Sequence, residues 1–150
     1  MKTNIISKLL LSLSLVFVLG SAINQVRGDT DSFTPVFGIH STGDVTRGKT
    51  GSFVVARTNV NPGPWAATYV NVSFGGTAVA GVDYVAVAPQ ILIGKSGYAV
   101  ISIKTMPDRS PVPHKVSVVV TLRPGPGYTV GAPSSATMWI EPCASLAGCQ

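Results

Sequence analysis

The sequence predicts an all-β protein, an antiparallel β-sandwich of about seven strands. Three observations predict it. The first is composition: of 150 residues only 11% are charged, while 16 are Gly and 11 are Pro, with Val and Thr abundant, a balance that favours strands joined by turns. The second is a string of short runs with period-two alternation, each bounded by turn residues. The third is that no window after the N-terminal leader carries a helical period. The low charge also weakens the repulsion that keeps proteins apart.

The leader comprises residues 1–22. Lys2 and Lys8 precede an apolar run from Leu9 to Leu19, and the small residues Gly20, Ser21 and Ala22 follow. A positive start, an apolar centre and a small-residue cleavage site define a secretory signal peptide. A membrane anchor is the rival reading, but spanning a bilayer takes about 20 apolar residues. The expected destination is therefore secreted or extracellular, with no membrane insertion after the signal is removed. The remaining chain carries nine basic and six acidic residues, a net charge of +3 rather than the +5 of the whole sequence. The basic residues are scattered, and nucleic-acid binding would need them clustered on one face.

Residues 23–34 are polar and aperiodic and read as a flexible lead-in. The sandwich is expected over residues 35–141. Pro35 to His40 forms a first strand with Phe37 and Ile39 inward, and Thr50 to Thr58 a second with Phe53 and Val55 inward. Arg57 falls at an inward phase of that strand without an evident reason. After the loop sequence Asn59-Val60-Asn61-Pro62-Gly63-Pro64, Ala67 to Phe74 places Val70, Val72 and Phe74 on one face and Tyr69, Asn71 and Ser73 on the other. A glycine-rich turn, Gly75 to Asp83, leads into a short strand from Tyr84 to Val87. Gln90 to Ile93, Tyr98 to Lys104, Lys115 to Leu122 and Ala136 to Ile140 complete the series. Their expected inward residues are Ile91 and Ile93; Ala99, Ile101 and Ile103; Val116, Val118, Val120 and Leu122; and Met138 and Ile140.

The chemical motifs are sparse. Gly43 to Thr50 matches the phosphate-binding pattern G-x-x-x-x-G-K-[ST], in which backbone N–H groups, here with Lys49 and Thr50, would hold phosphate and magnesium. That chemistry needs a helix directly after the loop, and Ser52 to Ala56 alternates as a strand instead. His40 and His114 are isolated, and no G-x-S-x-G elbow occurs, so no catalytic residues are assigned and no cofactor is implied. Cys143 and Cys149, in the C-terminal tail of residues 142–150, read as a small disulfide loop in an oxidising compartment, with interchain pairing as the alternative. A zinc site would need more ligands. Asn71-Val72-Ser73 is a glycosylation sequon, with Asn71 on the outward face.

Gly75-Gly76-Thr77-Ala78-Val79-Ala80-Gly81-Val82-Asp83-Tyr84 resembles the D-G-T-A-x-A-G-x-D-Y segment of Calx-beta domains. Val45-Thr46-Arg47-Gly48 resembles the family's V-x-E-G, Gln90 to Ile93 its T-L-T-F strand, Ala99 to Ile103 its T-x-T-I-x-V strand, and Val130 to Thr137 its closing L-G-x-P-S-x-A segment. The shared order and spacing cover residues 36–140. The resemblance implies an immunoglobulin-like sandwich with calcium bound by several carboxylates at one end, since that cation takes six to eight oxygen ligands.

The departures fall on those carboxylates. Arg47 replaces the Glu of V-x-E-G, Gly75 the first Asp of the decapeptide, Pro107 one Asp of a D-D pair, and Pro113-His114-Lys115 an acidic segment. Asp108 alone survives as a residual calcium candidate. One carboxylate beside Arg47, Arg109 and Lys115 is expected to form an ion pair, so the metal site is expected to be lost. Asp83 is expected to hydrogen-bond backbone N–H groups in its turn. The same fold would place Tyr69, Val119 and Trp139 outward on one sheet, as ordinary surface or as a patch for a partner or sugar. The expected function is a secreted, non-enzymatic structural or adhesion module whose partners are copies of itself or extracellular proteins and glycans. The alternative is a ligand-binding module for carbohydrate or residual calcium.

Overall fold

The computed structural model describes residues 34–59, 66–107 and 114–143. The expectations for the leader, for nearly all of the lead-in, for Asp108 and for Cys149 fall outside them.

Nine strands form two layers: β1 (Val36–Ser41), β2 (Val45–Thr46), β3 (Thr50–Arg57), β4 (Thr68–Gly76), β5 (Gln90–Ile93), β6 (Tyr98–Lys104), β7 (Val116–Arg123), β8 (Thr129–Val130) and β9 (Ser135–Glu141). One sheet has the order β6-β3-β1-β8 and the other β2-β9-β7-β4-β5. Every described element is a strand, turn or bend, and among the described residues no helix is long and apolar enough to cross a membrane.

The period-two alternation sets the two layers facing each other. Phe37, Ile39, Phe53, Val55, Ile101 and Ile103 from the first sheet meet Val70, Val72, Ile93, Val116, Val118, Val120, Leu122, Met138 and Ile140 from the second. Each such side chain contributes roughly 1.5–3 kcal/mol when fully buried. Phe74, Ile91 and Ala99 pack on this core while remaining partly exposed.

Two features depart from the sequence-based expectations, and a third agrees with them. Tyr84–Val87 is not a strand: Tyr84 makes isolated bridges to Ala80 and Thr105, and the chain then runs irregularly to Pro89. Only Val85 N, donating to Lys104 O, continues the contact with β6 before Pro89. The two-residue strands β2 and β8 are too short to show alternation, and both pair in parallel, β2 with β9 and β8 with β1. The sheets are therefore mixed rather than purely antiparallel. Finally, the G-x-x-x-x-G-K-T segment is β2, a turn and the start of β3, and Lys49 N donates to Thr46 O at 3.1 Å within the turn. No helix follows it, so the phosphate cradle is not formed.

Candidate functional site

Two of the resemblance motifs, Val45–Gly48 and Gly75–Tyr84, meet at one end of the sandwich. Val45 and Thr46 lie beside Ile140 and Glu141, and Arg47 N donates to Glu141 O at 3.0 Å. The left-handed turn at Gly48, with φ 79°, then returns the chain toward β3. This path directs the Arg47 side chain inward, where only 2% of its surface is exposed.

The glycine-rich turn approaches from the other side. Gly76 has φ 100°, and a Cβ there would stand 2.2 Å from Ser117 O, so only glycine fits. This close approach lets Ala78 N donate to Ser117 O at 2.9 Å, while Thr77 N donates to Ser117 Oγ at 3.2 Å and Ser117 N donates to Thr77 Oγ1 at 2.9 Å. The chain then closes on itself: Asp83 N donates to Val79 O at 2.8 Å, and Val79 N donates to Asp83 Oδ2 at 2.7 Å. Met106 N donates to Asp83 O, and Thr105 Oγ1 donates to Lys49 O at 2.6 Å, stitching the end of β6 to both turns.

The other carboxylate oxygen, Asp83 Oδ1, receives Arg47 Nη2 at 2.8 Å, with both side chains buried. Asp83 thus performs the turn role expected of it and a second one that its position in a turn motif did not reveal. Its neighbour Tyr84 is also buried. Burial, helped by the Asp83 charge, holds the Tyr84 phenol above its ordinary value of 10.0.

The donor set does not fit a calcium ion. The position facing Asp83 Oδ1 holds a guanidinium, and a divalent cation brought beside it would be repelled. Glu141 Oε1 is paired with Lys115 Nζ at 2.5 Å, and Asp44 Oδ1 accepts Trp139 N at 3.0 Å. All three described carboxylates are therefore engaged. Among the described residues no group of three or more His, Cys, Asp or Glu could hold a metal.

Tyr69, Val119 and Trp139 do share the outer face of one sheet, but the structure does not bring all three together. Trp139 lies opposite Ser117, and Val119 opposite Thr137 and Gly75, which makes Val119 a diagonal neighbour of Trp139. Tyr69 lies opposite Leu92 at the far end of β4. Eight residues of strand separate Tyr69 from Thr77, the residue bonded to Ser117, on the order of 27 Å. Val119 is half-buried, Tyr69 is 61% exposed and Trp139 is 40% exposed. Lys115 Nζ sits 4.9 Å from the Trp139 ring centre, a cation–π contact that occupies a face a sugar would use.

Asn71 is half-buried, with its amide engaged at both ends: Nδ2 donates to Pro124 O at 3.3 Å and Oδ1 accepts Gln90 Nε2 at 2.8 Å. His40 and His114 are exposed on separate segments. Cys143 Sγ lies 3.6 Å from Arg47 O. Sequence reasoning missed Tyr128, whose hydroxyl accepts Asn71 N at 3.0 Å and donates to Arg123 O while its ring packs 6.0 Å from that of Phe37. Its place after Pro124-Gly125-Pro126-Gly127 gave a signal, because a tyrosine at a strand corner often bonds back to the preceding backbone.

No family model and no curated protein matches the sequence. Solved structures do match in fold. The apo form of the Calx CBD1 domain superimposes with a TM-score of 0.51 and 20% identity, covering 71% of this chain and 97% of that domain. The Calx CBD2 domain gives 0.53 at 13% identity over 74% and 90%. The calcium binding domain CBD12 of CALX1.1 gives 0.52 at 20% identity over 69% and 44%. The chain has a Calx-beta-type fold. Its sandwich is therefore immunoglobulin-like, and one end of it is filled by the buried Arg47–Asp83 pair.

Proposed function

We propose that this chain is a secreted, non-enzymatic structural or adhesion module that folds and acts without calcium. The observation that carries the reading is the buried Arg47–Asp83 pair. In the resemblance, position 47 belongs to an acidic side chain near the metal. Here the chain supplies its own positive charge to the Asp83 carboxylate. A charge tethered to the backbone is present at every calcium concentration, so the loop end has nothing to sense. The apolar leader supports export, and two exposed, separated histidines offer no base for a nucleophile. The alternative, a carbohydrate-binding module, would appear as glycan-array retention that Trp139→Ala abolishes.

Thermal unfolding of residues 23–150 in millimolar calcium and in chelator tests the reading. A ligand at a hundred times its Kd stabilises the folded state by about 2.7 kcal/mol, which for a domain of this size raises Tm by on the order of 10 °C. The expected result is equal melting temperatures. A saturable rise with calcium would overturn the reading.

A further inference from the structure

The two sheets have four edges, and three of them are short: β8 and β2 with two residues each and β5 with four. Shortness is one way a sandwich protects its edges from pairing with other chains. The fourth edge, β6, is seven residues long. On one side it pairs along its whole length with β3, from Thr50↔Lys104 to Ala56↔Tyr98. Just beyond that ladder Arg57 N donates to Gly97 O at 2.8 Å. Hydrogen-bonding pairs alternate along an antiparallel ladder. Gly97, Ala99, Ile101 and Ile103 thus turn their N–H and C=O groups toward β3, and Tyr98, Val100 and Ser102 turn theirs away.

The far end of this outer edge is closed by the chain itself, since Val85 N donates to Lys104 O at 2.9 Å. Among the described residues, the stretch from Tyr98 to Ser102 carries no such strand on this side. Tyr98 O accepts the exposed Ser96 hydroxyl at 3.1 Å, a local bond that a strand N–H can replace. The outward side chains of this stretch are open: Tyr98 is 54% and Val100 53% exposed, and Ser102 is exposed as well.

We propose that this edge pairs with the same edge of a second copy, antiparallel and centred on Val100, joining two four-stranded sheets into one of eight. The register is self-complementary. Val100 faces Val100 of the other copy, and Tyr98 faces Ser102 in both directions. All three residues present outward backbone groups, so six ladder hydrogen bonds form. The one charged residue of β6, Lys104, then faces Ser96 rather than another charge. Two copies of net charge +3 approach through a neutral strip, and the Tyr98 and Val100 side chains lie side by side on one face of the joined sheet. The inference rests on reading the chain as an interaction module and names its partner.

The test uses residues 23–150, which contain the compact unit Ser32–Gln150. Light scattering from micromolar to millimolar protein should show the mass doubling, in calcium and in chelator alike. Val100→Lys, at an exposed position that tolerates it, should shift the midpoint to at least about tenfold higher concentration, because like charges then face each other directly. Directly opposed, hydrogen-bonded residues have Cα atoms about 5.5 Å apart, within reach of a disulfide. Val100→Cys should therefore cross-link two copies on oxidation. Ser102→Cys should not, since its two copies lie four residues out of register, roughly 14 Å apart. A protein that stays at single-copy mass to millimolar concentration overturns the inference. So does a dimer that survives Val100→Lys and gives no Val100→Cys cross-link. A Val100→Cys cross-link that forms only in calcium supports this edge and overturns the calcium-independent reading instead.

Discussion

Removing Arg47 should be among the most damaging single changes available in this chain. The guanidinium is almost wholly buried and lies 2.8 Å from Asp83 Oδ1. Arg47→Ala leaves the Asp83 carboxylate in the protein with one backbone donor, Val79 N, and without its counter-charge. Stripping one partner from a buried pair costs about 3–5 kcal/mol, and the lost aliphatic stem adds to that through packing. Asp83→Ala should cost at least as much, because it removes the carboxylate that faces the buried guanidinium and also unties the turn at Val79. The two effects should not add. Once either partner is gone, removing the other relieves an uncompensated charge, so the double variant should be more stable than the summed losses predict by on the order of 1–3 kcal/mol. Arg47→Lys should recover part of the loss, since an ammonium keeps the charge but not the planar fork. Urea unfolding of the four proteins at neutral pH gives the cycle. Losses below about 1 kcal/mol for both single variants, with an additive double variant, would refute the view that this pair holds the loop end together.

Tyr128→Phe should cost about 1–3 kcal/mol, because its hydroxyl serves Asn71 N and Arg123 O together; urea unfolding checks it. Gly76→Ala should yield little folded protein by circular dichroism, as its Cβ meets Ser117 O and its φ is positive. Alkaline stability should depend on Tyr84. Its folded value lies above 10.0, so above that pH the unfolded chain binds fewer protons than the folded one. Stability is then fully present below pH 10.0 and declines as pH rises through the folded value. Tyr84→Phe should flatten that decline in unfolding measured at successive pH values, whereas an unchanged slope would assign it to other groups.

The sandwich was legible because its signals are local. Alternation in Thr50–Arg57, Tyr98–Lys104 and Val116–Arg123 follows from burying one face of each strand, and it is carried by residues within the strand itself. The two-residue strands β2 and β8 carry no period, and their parallel partners are distant in sequence. The site was legible only in part. Arg47 stood out as a basic residue in an acidic position, and Asp83 as a turn residue. Their contact spans 36 positions and depends on how two turns approach, which no spacing encodes. The Tyr69–Trp139 patch failed for a related reason. Facing is a property of one strand, but contiguity depends on the register between strands, and register put the two rings at opposite ends of the sheet.

The two proposals are physically linked through charge. A calcium-binding end needs several carboxylates converging on one point, and those carboxylates repel one another until the metal arrives. Where the resemblance would set those carboxylates, this chain carries Arg47, Gly75, Pro107, His114 and Lys115, so on that reading no such repulsion has to be relieved when the loop end closes. The closed turn also holds Val85 against Lys104 O, which caps one end of the β6 edge. Capping there leaves Tyr98 to Ser102 as the open stretch and fixes where a second strand can dock. Loosening the Arg47–Asp83 pair should therefore do more than lower stability. It should free the Val85–Lys104 contact, lengthen the open edge and let copies pair in more than one register. In the Arg47→Ala protein, Val100→Cys cross-linking should fall while total association holds or rises. Unchanged cross-linking in that background would show that the edge is set by β6 alone and that the two features are independent.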